Sequence, residues 1–200
     1  MKKKIYLIGS GGHAASCIDV IESSKKFKIL GIFSDEKKKS HSGYKIIGNI
    51  NDLLNEKKKF NLHIAIGSIK NYNFRKILFE KLKKKGHKFP SIISKHAVVS
   101  KKAIIDEGTI IFHFSLVNSN AFIGKNCIIN SNACIEHDVT ISDHAHISTS
   151  AVINGNCKIG MGTFIGSSTV LRENISIGSK CIISFGKSLS KNVISGKLIK

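Results

Sequence analysis

Read in steps of six from Val99, the chain is aliphatic at every stop, through Ile105, Ile111, Val117 and Ile123 and without a frame shift to Leu171, Ile177 and Ile183. A period of six cannot follow one stripe of a 3.6-residue helix; it suits short strands that turn a corner and repeat. Three such hexads make one triangular coil, so the fifteen stops predict five coils, each resting on its neighbours. The place four residues after each stop is mostly small, as at Ala103, Thr109, Ser115, Ala121, Cys127 and Ala133, with Val139 and Ile175 the larger exceptions. The place one residue after often holds glycine or asparagine, as at Asn118, Gly124, Asn130, Asn154 and Gly160. The pattern puts the unusual backbone angles of the corners there.

The first ninety residues follow a different rule. Residues 5–8 read as an apolar strand, Gly9-Ser-Gly11-Gly12-His13-Ala14 as a turn, and Ala14, Cys17, Ile18 and Ile21 as one face of a helix. Residues 28–33 form a second strand ending at Ser34-Asp35-Glu36, with a basic loop following through Gly43. Asn51 is placed to cap a short helix holding Leu53 and Leu54, and residues 62–66 are a third strand ending at Gly67-Ser68. A longer helix then carries Phe74, Leu78 and Leu82 on one face and stops at Gly86. This alternation predicts a small parallel sheet covered by helices, a Rossmann-like α/β domain. Pro90, the only proline, favours an extended preceding residue and marks the boundary between that domain (1–90) and a parallel β-helix (91–200). The coils are expected to end near Ile183 or Leu189, leaving residues 191–200 as a polar, basic tail.

A formal net charge of +19, carried mostly by lysine, favours anionic partners. Nucleic acid is not expected among them, since tryptophan is absent and no zinc-finger or RRM word occurs; phosphate-rich small molecules profit from the same field. The five cysteines, at 17, 127, 134, 157 and 181, form no C-x-x-C pair, and three fall on the small place of the hexad. They read as packing residues of a reducing, cytoplasmic compartment, with neither a disulfide framework nor a metal site expected. The apolar run after Lys4 stops at Gly9, too short for a signal peptide, and no stretch approaches the ~20 apolar residues of a membrane span.

Gly9-x-Gly11-x-x-Ala14 satisfies the dinucleotide fingerprint, and Asp35 closes the second strand where a ribose-binding acid would sit. Backbone N–H groups at a helix start serve NAD and a nucleotide sugar equally well, and the sheet is half the size of a full dinucleotide fold. The glycines could also only permit a tight turn, and Asp35 could only cap a loop. Among nine histidines His137 stands out, two places past Ile135 and flanked by Glu136 and Asp138. Gly155 lies eighteen residues, one full coil, beyond it and should stack directly on it. A zinc site from His137, His144 and His146 lacks the usual ligand spacing, and His113 and His144 read as ordinary surface residues.

The hexads, with the words Asn130-Ser-Asn-Ala-Cys-Ile-Glu136-His137-Asp138 and Ile141-Ser-Asp-His-Ala-His146-Ile-Ser148, resemble the left-handed β-helix acyltransferases of the NeuD/PglD type, bacterial sugar acetyltransferases. The resemblance covers nearly the whole chain. It implies an acetyl-CoA-dependent N-acetyltransferase acting, without metal, on a UDP-linked 4-amino-4,6-dideoxy sugar in bacterial glycan synthesis. His137 would be the general base and Asp138 its orienting acid. Asn130 would lie near the acceptor, His146 near the thioester, and Gly155 would turn its N–H to the acetyl oxygen. Gly11, Gly12, His13, Asp35 and Glu36 would hold the nucleotide sugar, and the assembly would be a homotrimer with sites between neighbours. The chain departs from the family at Ser184-Phe185-Gly186, where relatives have a Gly-Ala-Gly step, and at Ser195-Gly196-Lys197, which lacks the usual proline. O-acetylation of a sialic-acid-like sugar is the nearest alternative. A non-catalytic nucleotide-binding scaffold and an NAD-linked enzyme are the others.

Overall fold

The computed structural model describes residues 2–67, 69 and 72–200, so Ser68, the expected end of the third strand, lies outside the described residues. β1 (Lys3–Ile8) turns through residues 9–11 into α1 (Gly12–Ser24) and returns as β2 (Phe27–Phe33). The chain continues as β3 (Ser40–His41), β4 (Tyr44–Gly48), α2 (Ile50–Asn55), β5 (Leu62–Ile64) and α3 (Tyr72–Lys84). The sheet order is β3-β4-β2-β1-β5, with β4, β2, β1 and β5 parallel. The stretch read as a basic loop is instead an antiparallel hairpin of β3 on β4, because Ser42 and Gly43 both take positive φ, which a two-residue hairpin turn requires.

Two local expectations are corrected. The cap of α2 is Asn49 and not Asn51: the Asn49 side chain accepts from the Asp52 N–H and the Asp52 carboxylate accepts from the Asn49 N–H, each at 2.8 Å, a closed capping box. Phe74 does not share the inner face of α3. It is 48% exposed, and the buried row is Arg75, Leu78, Phe79 and Leu82.

From β6 (Ile92–Ile93) to β23 (Leu198–Ile199) the chain winds as two-residue strands on three faces of a left-handed prism. The first face runs from β7 (Val98–Val99) to β22 (Ser188–Leu189), the second from β8 (Ile104–Ile105) to β20 (Ser176–Ile177), and the third from β6 to β23. Strands pair in parallel with the residue eighteen places on, as Ile135 with Ile153, and the six-fold aliphatic stops fill the interior. Each fully buried side chain of that ladder contributes roughly 1.5–3 kcal/mol.

The small places after each stop do more than fit. Thr109, Ser115, Thr163 and Thr169 donate their hydroxyls to carbonyls fifteen residues on, at 2.6–2.9 Å, binding each corner to the coil above. The left-handed corner residue, however, sits three places after the stop and not one: Phe114, Asn120, Asn126, Asn132, Asp138 and His144 all have φ between 53° and 62°. The glycines one place after serve close approach, since a Cβ on Gly124, Gly160, Gly166 or Gly178 would strike backbone of the next coil. The tail is also part of the solenoid. In the last coil Ile183 pairs with Ile199 and Ile177 bridges Val193, a step of sixteen that omits two residues and breaks the six-fold frame after Leu189.

The third face carries the α/β domain. Its outward side chains Ile92, Ile110 and Ile128 are buried with Phe112 under Cys17, Ile18 and Ile21 of α1. Arg75 of α3 is fully buried and donates to the carbonyls of Ile64, Ile66 and Asn126 and to the Asn126 side chain, at 2.5–3.1 Å. That clamps the end of β5 to a corner of the prism.

Candidate active site

Three places carry chemistry, and the fold joins two of them within one chain. The first is a cleft of about 430 Å³ at the carboxyl ends of β1, β2 and β5, lined by the glycine turn, His13, Ser34, Asp35, Glu36, Ile66 and Phe74. Gly9 (φ 102°) is demanded by the turn itself, where a Cβ would meet Ile66 at 2.5 Å. Gly12 faces open space and Gly11 has only Glu36 at 3.8 Å, so the protein does not need a bare backbone there. A ligand approaching the start of α1 does, and that helix has neither a side-chain cap nor an acid in its first turn. Asp35 accepts from the Ile50 N–H at 2.9 Å, which makes it a cap of α2 as well as a cleft wall. Glu36 pairs with Lys38 at 2.6 Å, and that hydrogen bond lowers its pKa. Burial, with Arg75 and His146 nearby, depresses His13 to about 3, so its ring is neutral at physiological pH, and its Nε2 has no partner among the described residues.

The second place is a groove of about 690 Å³ along the uncovered part of the third face, lined by Ser148, Phe164, Ser167, Ile182, Phe185 and Leu198, with Lys200 at its end. It adjoins the cleft through His146, whose ring lies edge-on to Phe164 at 5.1 Å and 6.5 Å from His13. Asn130 stands one coil below Ser148 on the same corner, with its Oδ1 held by the Ser131 N–H at 2.8 Å. An apolar channel edged by hydroxyls and closed by a cation suits a long, flexible, phosphorylated thiol.

The third place is the corner between the first and second faces. The Nδ1 of His137 is hydrogen-bonded to Asp138 at 2.8 Å, the carboxylate accepting, and Asn120, eighteen residues before Asp138, donates to the other carboxylate oxygen at 3.1 Å. These bonds, His137 foremost, lower the Asp138 pKa, leaving a carboxylate that turns the Nε2 of His137 outward. A Cβ on Gly155 would lie 2.7 Å from Cε1 and Nε2 of that ring, so Gly155 sits directly against it, as one coil's spacing predicts. In a triangular prism this corner lies opposite the third face. One chain therefore gathers Gly11, Gly12, His13, Asp35, Glu36, Asn130 and His146, but holds His137, Asp138 and Gly155 apart from them.

Two histidines read as surface are engaged. His144 is buried, bonded to Asn126 at 3.1 Å and edge-on to Phe79. His113 joins Ser94 (2.6 Å) to Asp19 of α1 (2.8 Å), a tether between the domains. Among the described residues no group of three or more His, Cys, Asp or Glu side chains is arranged to hold a metal ion. Sequence reasoning missed the groove, which gives no local signal, and Asn120, which the eighteen-residue spacing could have found.

Residues 4–82 match the family described as PglD N-terminal domain. Over the whole length the chain is similar to the acetyltransferase domain of PglB from Neisseria gonorrhoeae, a structure in complex with acetyl coenzyme A. The two are 25% identical with a TM-score of 0.92, covering 99% of this chain and 96% of that one. Together the two matches support a NeuD/PglD-type sugar acetyltransferase. Its fold recurs in PerB of Caulobacter crescentus, solved with CoA and GDP-perosamine (24% identity, TM-score 0.90, 98% and 92% covered). WeeI of Acinetobacter baumannii has it as well (20%, 0.66, 98% and 96%). In this chain the first coils are covered by the α/β domain and the later coils leave the third face open, which puts cleft and groove side by side.

Proposed function

We propose that the protein is an acetyl-CoA-dependent N-acetyltransferase acting on a UDP-linked 4-amino-4,6-dideoxy sugar of a bacterial glycan, with the site completed between copies of a homotrimer. The observation that supports the reading is the His137–Asp138 pair with Gly155 set directly against the ring. Asp138 holds the proton on Nδ1, so Nε2 is free to take one from the acceptor amine as its nitrogen bonds the thioester carbonyl carbon. The carbon–sulfur bond breaks, the Gly155 N–H receives the charge on the acetyl oxygen, and His137 returns the proton to the departing thiolate. No covalent acyl-enzyme is needed.

The nucleotide sugar lies in the glycine cleft, its diphosphate on the N–H groups of Gly12 and His13 and its ribose near Asp35 and Glu36. Neutral His13 and Asn130 face the sugar. Coenzyme A follows the groove from His146 toward Lys200. The base comes from a neighbour, since its corner is opposite the groove, and an outward aliphatic ladder of Val98, Leu116, Val152 and Val170 on the first face offers the packing surface.

The test is the melting temperature with acetyl-CoA, UDP-GlcNAc, UDP, GDP and NAD added separately, because a ligand of the native state raises it. Stabilisation by acetyl-CoA and by UDP compounds is expected. Acetyl-CoA alone would favour O-acetylation of a free sialic-acid-like sugar, GDP in place of UDP would change the nucleotide, and NAD alone would restore the oxidoreductase. No stabilisation at all would leave a scaffold.

A further inference from the structure

The lysines are not spread evenly. Twenty-one of the 32 basic side chains, against seven acidic ones, lie in the first ninety residues. Within the α/β domain their placement follows from topology. In a parallel sheet every strand starts on one edge, and the helices that return the chain end on that same edge. Here that edge collects residues 2–4 at the start of β1, 25–28 between α1 and β2, 57–59 before β5 and 81–88 at the end of α3. Backbone bonds tie these segments together: the Lys3 N–H donates to the Lys26 carbonyl and the Leu62 N–H to the Lys88 carbonyl, while Asn61 donates its side-chain N–H to the Lys4 carbonyl.

Thirteen lysines in these segments are exposed and the segments contain no carboxylate; Glu56 and Glu80 flank them, Glu56 accepting from the Lys58 N–H at 2.9 Å and Glu80 facing Lys76, while Glu107 of the prism pairs with the half-buried Lys83. Lysines at a helix C-terminus favour the helix dipole, but that accounts only for those on α3. The last turn of α1 holds none, and the strand starts have no such need. Two shallow concavities open on this end, one between Lys2, Lys3, Lys25 and Lys26 over Phe27, the other between Lys81, Lys84 and Lys85 over Leu54. The nucleotide cleft is at the opposite edge, so the field here is not serving the proposed substrate.

We propose that this end of the α/β domain is a peripheral docking surface for a bilayer rich in anionic lipid, holding the cleft turned away from the membrane. The chemistry selects that partner. Lysine clusters are point charges that gain from a dense phosphate plane without needing fixed geometry. Base or phosphodiester recognition would call for aromatic platforms or arginine forks, and this end exposes neither. No helix of the described residues is long and apolar enough to cross a membrane, so attachment would be electrostatic and released by salt.

Cosedimentation of the full chain with phosphatidylcholine vesicles, with and without 30% phosphatidylglycerol, decides the matter. Binding to the anionic vesicles in low salt, none to the neutral ones, and release at high salt are expected. Lys57→Glu, Lys58→Glu, Lys84→Glu and Lys85→Glu together should abolish it, each charge lost costing about five-fold in partition. A control carrying the same charge change elsewhere, Lys95→Glu, Lys101→Glu, Lys102→Glu and Lys191→Glu, should keep most of it. Equal loss in both variants would show net charge alone and overturn the surface. So would no vesicle binding, or a DNA duplex that displaces the vesicles and fails to bind the first variant. Unchanged melting temperatures of both variants exclude misfolding.

Discussion

At the scale of single residues, two kinds of histidine are built by two kinds of surroundings. His137 is exposed, with its charge partner on one side and a glycine on the other, an arrangement that leaves its second nitrogen to solvent or substrate. His13 and His63 are sequestered. His63 is wholly buried in β5 with neither ring nitrogen bonded among the described residues, and desolvation, with Arg75 and His13 adding to it, holds its pKa well below the ordinary value. Both are neutral in the folded protein and take up protons near pH 6.5 when unfolded. The unfolded state thus binds more protons below pH 6.5, and stability present above that pH is lost as it falls toward the folded values, about 3 for His13. At pH 5 His13 withdraws about 2 kcal/mol, and His63 acts in the same direction. His63→Leu removes one of these contributions, so the drop in melting temperature between pH 7 and pH 5 should shrink. An unchanged profile would place the acid sensitivity elsewhere.

At the scale of elements, the coil corners decide both stability and what could be read from sequence. From Gly108 to Gly186 each corner takes a left-handed residue, and at Phe114 (φ 59°) a bulky aromatic holds it, 69% exposed, with His96 stacked on its ring and His113 beside it. Left-handed backbone costs such a residue roughly 1–2 kcal/mol. Phe114→Asn is expected to raise stability by about 1 kcal/mol, or ~2–4 °C in melting temperature, and Asn132→Phe to lower it by a similar amount. The same corners explain the limits of sequence reading. The coils were legible because the aliphatic stop is enforced by a dry interior that accepts nothing else. The left-handed place was not, because Phe114, His144, Ser150 and Lys180 occupy it beside asparagines, while the conspicuous glycines serve close approach instead. The last coil was hidden by its two-residue omission. In the α/β domain the apolar strands and the glycine turn could be read, whereas Phe74 was assigned to the wrong face because Arg75, a charged residue, takes the buried position through carbonyl acceptors no local pattern announces. For the site, His137 and Gly155 were joined by one coil's spacing; the groove, assembled from the open third face and the returning C-terminal strand, had no signature along the chain.

At the scale of the whole molecule, the prism geometry turns the proposed mechanism into a statement about assembly. A face and its opposite corner cannot meet within one chain, so in the proposed mechanism the cleft and groove of one copy are completed by the His137 corner of another. His137→Ala should then lower kcat about 10²–10⁴-fold while the melting shift with acetyl-CoA persists, because the groove is untouched. Gly12→Asp should abolish turnover by a different route: its side chain occupies the open space before α1 and sets a negative charge where the diphosphate belongs, while an acid at that helix start leaves the fold intact. Each variant alone is inactive, yet each keeps the half the other lacks. Co-expressed with different tags and purified through both, mixed oligomers can pair an intact cleft from the His137→Ala chain with an intact base from the Gly12→Asp chain, and activity should reappear in that fraction alone. Thiol release from acetyl-CoA measures it. A doubly tagged oligomer that stays silent, or a protein that runs as an active monomer in light scattering, would require His137 to reach its own groove, which the opposed corner and face forbid, and the assignment of the base would have to move to a histidine already on the third face, His146 first.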